Sequence, residues 1–322
     1  MLAIRISANG GPEVLSPTDV PTPSPGSGDI LIRHGACGLN YIDIYQRSGL
    51  YPMPLPATLG LEGAGVVIAV GEGVDRFKIG DRAAYCSTLG GYAECNLVKA
   101  ERAVRVPDAI SDEIAAAVLL KGLTAEFLAR RVWPLDAGDT VLVHAAAGGV
   151  GLVLCQWLKH LGIRVIGAVG SAEKMALALQ YGCAEVINYR EEDVAPRVRS
   201  LTGGAGVPVV YDSVGAATFD ASLASLKRRG LLVSFGNASG PVPAIAPLRL
   251  SQGGSLFLTR PTLFDYIPDT QSMDRAADAL FNVIAEGVVK VVIAQRFALA
   301  DAAKAHMALS ARETVGASIL VP

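Results

Sequence analysis

The segment Val141-Leu142-Val143-His144-Ala145-Ala146-Ala147-Gly148-Gly149-Val150-Gly151 restricts this chain to few folds. An apolar, β-branched run leads into a glycine turn, and a helical pattern follows. Val150, Val153, Leu154, Trp157, Leu158 and Leu161 recur at the spacing of one buried helical face, with Gly162 placed as a stop. A strand, a tight glycine turn and a helix N-terminus together make a pyrophosphate cradle, because unpaired N–H groups and the helix dipole face the anion. The usual fingerprint is G-x-G-x-x-G. Here Ala146 holds the first glycine position, while Gly148 and Gly151 keep the other two. An ordinary strand-to-helix turn can carry the same residues, so the surrounding pattern decides.

That pattern is alternation. Strands are expected over Thr140–His144, Arg164–Val169, Glu185–Asn188, Val209–Asp212, Leu231–Phe235 and Leu256–Thr259, with helices such as Ala172–Tyr181 and Phe219–Lys227 between them. Strand and helix in alternation from 123 to 261 predict a doubly wound parallel sheet, hence an α/β protein. The first 120 or so residues read as β throughout, with strands at Ile30–His34 and Gly65–Val70 and a loop at Pro21–Gly26. Met1–Ser7 alternates like a first strand and lacks the apolar region of a signal peptide. The tail predicts helices over Met273–Glu286 and Asp301–Ala311 and a strand over Ala317–Val321. Too small to stand alone, it is expected to pack onto the N-terminal β domain. The domains are therefore read as 1–122 with 262–322, and 123–261.

At 322 residues the chain is long enough for two cores. A hydrophobic fraction of 51%, a charged fraction of 18% and a net charge of −2 fit a globular enzyme and give no electrostatic case for nucleic acid or an anionic membrane. No apolar run is long enough to span a bilayer, and a cytoplasmic location is expected. The five cysteines (Cys37, Cys86, Cys95, Cys155, Cys183) are scattered without a C-x-x-C pair, so they read as small buried residues rather than disulfides or a zinc cluster.

The end of the second strand of such a sheet selects between nicotinamide dinucleotides. A carboxylate there accepts from the ribose 2′-OH, whereas a 2′-phosphate needs room and a cation. This chain has Gly170-Ser171-Ala172-Glu173-Lys174 at that point. The acid position holds Gly170 and Ser171, and Lys174 follows one turn later, which favours NADPH. Later strands end in Asp212-Ser213-Val214-Gly215 and Ser234-Phe235-Gly236-Asn237. Ligands of open α/β sheets bind outside the carboxyl ends of strands, so Ser213, Phe235, Gly236 and, on the last strand, Leu258 are assigned to the cofactor side.

Further ordered motifs occupy the N-terminal half: Asn40-Tyr41-Ile42-Asp43-Ile44-Tyr45-Gln46-Arg47-Ser48-Gly49-Leu50-Tyr51-Pro52, Gly60-Leu61-Glu62-Gly63-Ala64-Gly65, Val70-Gly71-Glu72-Gly73-Val74 and Gly80-Asp81-Arg82. With the Ala-Ala-Gly-Gly-Val-Gly turn they make the whole chain, to Gly316-Ala317-Ser318-Ile319-Leu320, resemble the medium-chain dehydrogenase/reductase superfamily. Within it the chain more narrowly resembles the zinc-free, zeta-crystallin-like quinone oxidoreductase branch. The resemblance implies a GroES-like β-rich catalytic domain beside a Rossmann doubly wound parallel-sheet domain, a cleft where nicotinamide and substrate meet, and a homodimer joined through the Rossmann domains. Carried over residue by residue, it puts Asn40 and Tyr45 at the nicotinamide end and Thr124 near the cofactor. It gives Ala147, Gly148, Gly149 and Val150 to the pyrophosphate, and Ser171, Lys174, Tyr189 and Arg312 to the 2′-phosphate.

Zinc-using relatives place a Cys just before the Asn40 region and a His in Gly-His-Glu. Here Gly38-Leu39 and Leu61 stand at those places, and neither residue type ligates a metal. No metal site is expected, and Glu62 reads as a satisfied buried carboxylate or part of a domain-closing contact. His34, His144, His160 and His306 form no spaced cluster and read as structural. The chemistry is then expected to come from the cofactor: hydride would pass from NADPH to a quinone. The resemblance makes Asn40, Tyr45 and Tyr51 the candidate donors to the reduced oxygen, with water as another source of the proton, and Asp43 reads as a structural acceptor. An alkenal or enone reductase, acting on a conjugated carbonyl, needs the same geometry and remains an alternative. A non-enzymatic NADPH-binding structural or RNA-binding protein is the other, although a pI near 6.1 without a basic stripe argues against RNA.

Overall fold

The computed structural model describes all residues from Met1 to Pro322. They divide into two units, one formed by Met1–Leu123, Ile267–Ala285 and Val291–Pro322, the other by Thr124–Tyr266 and Glu286–Lys290.

In the first unit the strand Asp29–Leu39 organises a seven-stranded sheet. It pairs antiparallel with Gly63–Val70, Cys95–Lys99 and the closing strand Ala317–Val321, placing Ile319 opposite Gly38. Its first half sends Ile30 and Ile32 into a core with Val67, Phe77, Tyr85 and Val98. Its far end sends Cys37 and Leu39 into another, with Ile4, Leu59, Tyr92, Leu309 and Leu320. A smaller sheet joins Ser16–Asp19, Leu2–Ile6 and Ala57–Thr58.

The all-β reading of this region misses two helices, Tyr41–Ser48 and Asp112–Arg130. Tyr41, Ile42, Ile44 and Tyr45 are residues a strand would favour. The ends override that preference. Asn40 is an extended N-cap whose N–H donates to the Asp43 carboxylate at 2.8 Å, and Gly49 closes the helix in the left-handed region at φ 82°. Tyr41 and Ile44 then pack inward.

The second unit holds six parallel strands. Counted along the chain, Thr140–His144, Arg164–Val169, Glu185–Asn188, Val207–Asp212, Leu226–Ser234 and Phe257–Thr259 lie in the order 3-2-1-4-5-6. This is the doubly wound dinucleotide-binding order. Leu142, Ile166, Ile187, Val210 and Leu232 face a core shared with Val194, Val198, Phe219 and Leu223 of the covering helices. The first three strands coincide with the sequence pattern. The fifth starts at Leu226 rather than Leu231, so the helix expected over Phe219–Lys227 ends at Ser225. A register shift between Val207 and Val209 and a left-handed Arg229 mark this irregular entry, which hydropathy does not encode. Glu286–Lys290 belongs to this unit through Gln156, whose amide accepts from Lys290 N at 2.9 Å and donates to Lys290 O at 3.2 Å. No helix is long and apolar enough to cross a membrane.

Buried histidines hold several of these junctions. His34 Nδ1 donates to the Ala93 carbonyl at 2.6 Å, and its Nε2 meets the Tyr85 hydroxyl at 2.9 Å. Burial pushes His34 down to about 4, so the folded protein keeps it neutral while the unfolded chain protonates near the ordinary value of 6.5. Its contribution is intact above pH 6.5 and is lost as the pH falls toward about 4, by up to about 3 kcal/mol. We expect His34→Asn to flatten the fall of the urea midpoint between pH 6.5 and 4; an unchanged slope would show that His34 does not carry it.

Candidate active site

The turn expected to cradle a pyrophosphate links the strand Thr140–His144 to the helix Gly149–His160. Ala145 occupies the left-handed region at φ 51°, and its carbonyl accepts from Gly148 N at 2.9 Å. Gly148 is the N-cap and offers no side chain to the helix terminus, so the N–H groups of the first turn are left for an anion. Any Cβ on Gly151 would overlap the Ala145 carbonyl oxygen and lie 2.8 Å from that of Ala146. The helix therefore approaches the turn as closely as backbone allows. The missing first glycine also has its explanation here. A Cβ on Gly167 of the adjacent strand would sit 2.9 Å from the Ala146 Cβ and 2.7 Å from Cys183 Sγ. The Ala146 methyl thus occupies space that Gly167 leaves, and the turn tolerates alanine.

The neighbouring strand ends build the rest of this face. Asp212 accepts from Val214 N at 2.8 Å, Gly215 N at 3.2 Å, Thr218 Oγ1 at 2.7 Å and Ser222 Oγ at 2.6 Å, which fixes the Ser213-Val214-Gly215 loop. Ser222 in turn meets His144 Nε2 at 3.0 Å. Since the serine proton goes to Asp212, Nε2–H donates, and burial pushes the His144 pKa down, against the charged ring. Gly236 packs backbone on backbone with this loop, because a Cβ there would overlap the Ser213 carbonyl, and Phe235 N donates to Asp212 O at 2.8 Å. Leu258 is half-buried on the edge strand, opposite Leu232.

At the second strand end, Ser171 caps the helix Ala172–Gln180 by accepting from Lys174 N at 3.3 Å. Glu173, the one acid nearby, is exposed in the first turn. A Cβ on Gly170 would overlap the Tyr189 hydroxyl, so the phenol lies directly over this strand end while the residue is 43% exposed. Gly170, Ser171, Lys174 and Tyr189 thus form one local group free of carboxylate at the strand terminus. Thr124 is half-buried in the helix Asp112–Arg130. Arg312 is exposed in the other unit, just beyond the helix Ala302–Ser310, at φ 59°.

In the first unit Asn40 caps the helix Tyr41–Ser48, Tyr45 lies within it and Tyr51 follows it. Tyr45 and Tyr51 meet edge to face at 5.1 Å, Tyr41 stands 6.2 Å from Tyr45, and Tyr51 N donates to Tyr45 O at 3.0 Å. Asn40 is buried and its Nδ2 donates to Glu62 Oε2 at 2.8 Å. Asp43 Oδ2 accepts from Asn40 N and, at 2.7 Å, from the Tyr92 hydroxyl, whereas its Oδ1 is buried without a partner. Burial pushes Asp43 up to about 7 against the pull of Tyr92, the Asn40 N–H and the Lys121 charge. Tyr92 continues to His306 Nε2 at 3.0 Å, and Arg47 reaches His306 Nδ1 at 3.0 Å. A guanidinium only donates, so Nδ1 accepts and the ring is neutral; burial and Arg47 hold it down to about 3. Sequence reasoning passed over Lys121, Tyr92 and Arg47. A lone lysine inside Ala115–Leu123, an apolar helical run, was the one available signal of a buried pair. No group of three or more His, Cys, Asp or Glu side chains is arranged to hold a metal ion.

Two family models match parts of the chain. Residues 26–108 match the alcohol dehydrogenase GroES-like domain, and residues 149–276 match the zinc-binding dehydrogenase family. The chain is 53% identical to a quinone oxidoreductase of Pseudomonas aeruginosa over 321 residues, 99% of each protein. It is 40% identical over 331 residues to a 2-haloacrylate reductase of a Burkholderia species, covering 100% of this chain and 99% of that protein. The crystal structure of the Escherichia coli quinone oxidoreductase complexed with NADPH superposes with a TM-score of 0.99 at 47% identity, covering 100% of both chains.

The steric argument at the turn is directly testable. Gly151→Ala is expected to weaken binding of the dinucleotide at least tenfold, about 1.4 kcal/mol, in a fluorescence titration. Binding as tight as wild type would mean that the close approach does not shape the cradle.

Proposed function

The chain belongs to the quinone oxidoreductases of the medium-chain dehydrogenase/reductase superfamily, and on that footing we propose that it reduces quinones with NADPH by direct hydride transfer. The observation that carries this reading is the glycine turn: an uncapped helix N-terminus backed by Gly151 against Ala145, with a carboxylate-free strand end beside it. These residues fit a dinucleotide phosphate. Ala147, Gly148, Gly149 and Val150 would hold the pyrophosphate on backbone N–H groups. Ser171, Lys174, Tyr189 and Arg312 would hold the 2′-phosphate, Arg312 through its forked guanidinium. Gly170, Ser213, Phe235, Gly236, Leu258 and Thr124 would complete the binding face.

When bound, NADPH supplies the hydride, and the protein supplies position. Transfer to a quinone leaves negative charge on an oxygen, which a hydrogen-bond donor stabilises before it takes up a proton. Asn40 and the hydroxyls of Tyr45 and Tyr51 are assigned that role. The aromatic cluster of Tyr41, Tyr45 and Tyr51 gives an acceptor ring an apolar surface and keeps water away. The overall step is quinone, NADPH and a proton giving hydroquinone and NADP+.

A second reading rests on the likeness to a 2-haloacrylate reductase. An acrylate carries a carbon–carbon double bond conjugated to a carboxyl group, so hydride would pass to the β-carbon of a conjugated carbonyl. We further propose a cytoplasmic homodimer that joins through the cofactor-binding unit. The edge strand Phe257–Thr259 supports this, with Phe257 48% exposed against Trp133 at 5.4 Å.

Anaerobic stopped-flow with 1,4-benzoquinone should show acceptor-dependent loss of NADPH absorbance in wild type, faster than with any 2-alkenal; faster alkenal reduction would favour the second reading. In Lys174→Ala the dissociation constant for NADPH should rise about tenfold, the loss of one charge-assisted contact, while that for NADH stays put. Sedimentation velocity should report twice the chain mass, and a monomer at micromolar concentration would rule out the dimer.

A further inference from the structure

Glu62 is fully buried, which a carboxylate seldom is unless its oxygens are all satisfied. Its Oε1 accepts from Leu120 N at 2.6 Å. Its Oε2 accepts from Asn40 Nδ2 at 2.8 Å and from Lys121 Nζ at 3.2 Å. Lys121 is itself only 6% exposed, so the pair is a buried one. Gly38 makes the room: a Cβ there would overlap Glu62 Oε2. Such an arrangement costs desolvation of two charges, and burial of an ion pair by itself is weak evidence of stabilisation.

Its chemical consequence falls on Asn40. The terminal torsion of an asparagine is broad and nearly two-fold, so an unrestrained amide presents its oxygen or its nitrogen with little preference. A carboxylate accepts only. Glu62 therefore draws Nδ2 inward and dictates which way the amide oxygen and the second N–H point. The same carboxylate grips the helix Asp112–Arg130 at Leu120 and Lys121, so the amide is referred to a rigid element rather than to its own loop. Lys121 offsets the negative charge of Glu62 beside the Asn40 amide.

We propose that Glu62 is a positioning residue for hydride transfer, acting through the amide of Asn40. The inference rests on the reading that Asn40 lies at the nicotinamide end of the site. A carboxylate that merely filled space would contribute to stability equally with or without Asn40; a positioning residue contributes to the rate only when Asn40 is there to be positioned.

A double-mutant cycle on the single-turnover rate constant for NADPH oxidation by 1,4-benzoquinone separates the two. Asn40→Ala alone should slow hydride transfer about 10- to 100-fold, the scale of a misplaced contact. Glu62→Ala should slow it to a similar extent with the NADPH dissociation constant within threefold of wild type. Glu62→Gln should recover most of the rate, since its amide oxygen can still accept from Asn40 Nδ2. In the Asn40→Ala background, Glu62→Ala should cost nothing more. Should Glu62→Ala fail to melt cooperatively, Glu62→Asp replaces it, because one methylene fewer withdraws the carboxylate from Asn40 yet keeps its charge beside Lys121. Additive losses, or a Glu62→Ala or Glu62→Asp variant as fast as wild type, would overturn the role of Glu62. A fast Asn40→Ala would instead overturn the placement of Asn40, and with it this inference.

Discussion

The backbone of Gly151 lies against the carbonyl oxygens of Ala145 and Ala146 so closely that no side chain fits between them. This one steric constraint sets how the helix Gly149–His160 leaves the strand Thr140–His144, and much of the cofactor-binding unit follows from it. The helix end must stay uncapped, because Gly148 has nothing to cap it with. The N–H groups of its first turn are then free of any side-chain cap, the arrangement that favours an anion. The next strand must carry Gly167 to admit the Ala146 methyl, and Cys183 fills the space on the other side of that glycine.

The catalytic unit solves a different problem, that of keeping carboxylates inside an apolar sheet. Glu62 has three donors for its two oxygens, one of them a buried lysine, and is fully satisfied. Asp43 has two donors on one oxygen and none on the other, and burial lifts it toward neutrality. Both converge on Asn40, one through its side chain and one through its backbone. The head of the helix Tyr41–Ser48 is thereby held by polar contacts whose direction is set, since the backbone N–H and the amide Nδ2 of Asn40 can only donate. A hydrocarbon core packs with far less directional preference, so the orientation of Asn40 is set by these polar contacts.

The absence of ligating residue types at Gly38, Leu39 and Leu61 acquires meaning in the same place. Gly38 leaves the space that the Glu62 carboxylate enters. The position thus makes room for the hydrogen bond between the Asn40 amide and Glu62.

Sequence alone determined the doubly wound sheet, its first three strands to the residue, the glycine turn at Ala146–Gly151 and the carboxylate-free strand end at Gly170-Ser171. These are local: hydropathy period, turn residues and the presence or absence of an acid are properties of short segments. The helix Tyr41–Ser48 was hidden because β-favouring side chains mask an N-cap and a left-handed glycine. The early start of the strand at Leu226 was hidden by a bulge. Only the tertiary structure brought Lys121, Glu62 and Asn40 to one point, chained Arg47 through His306 and Tyr92 to Asp43, and matched Gly167 to Ala146. Residues far apart in sequence meet there because strand pairing and packing place them, and a buried donor has to find its acceptor wherever the fold puts one.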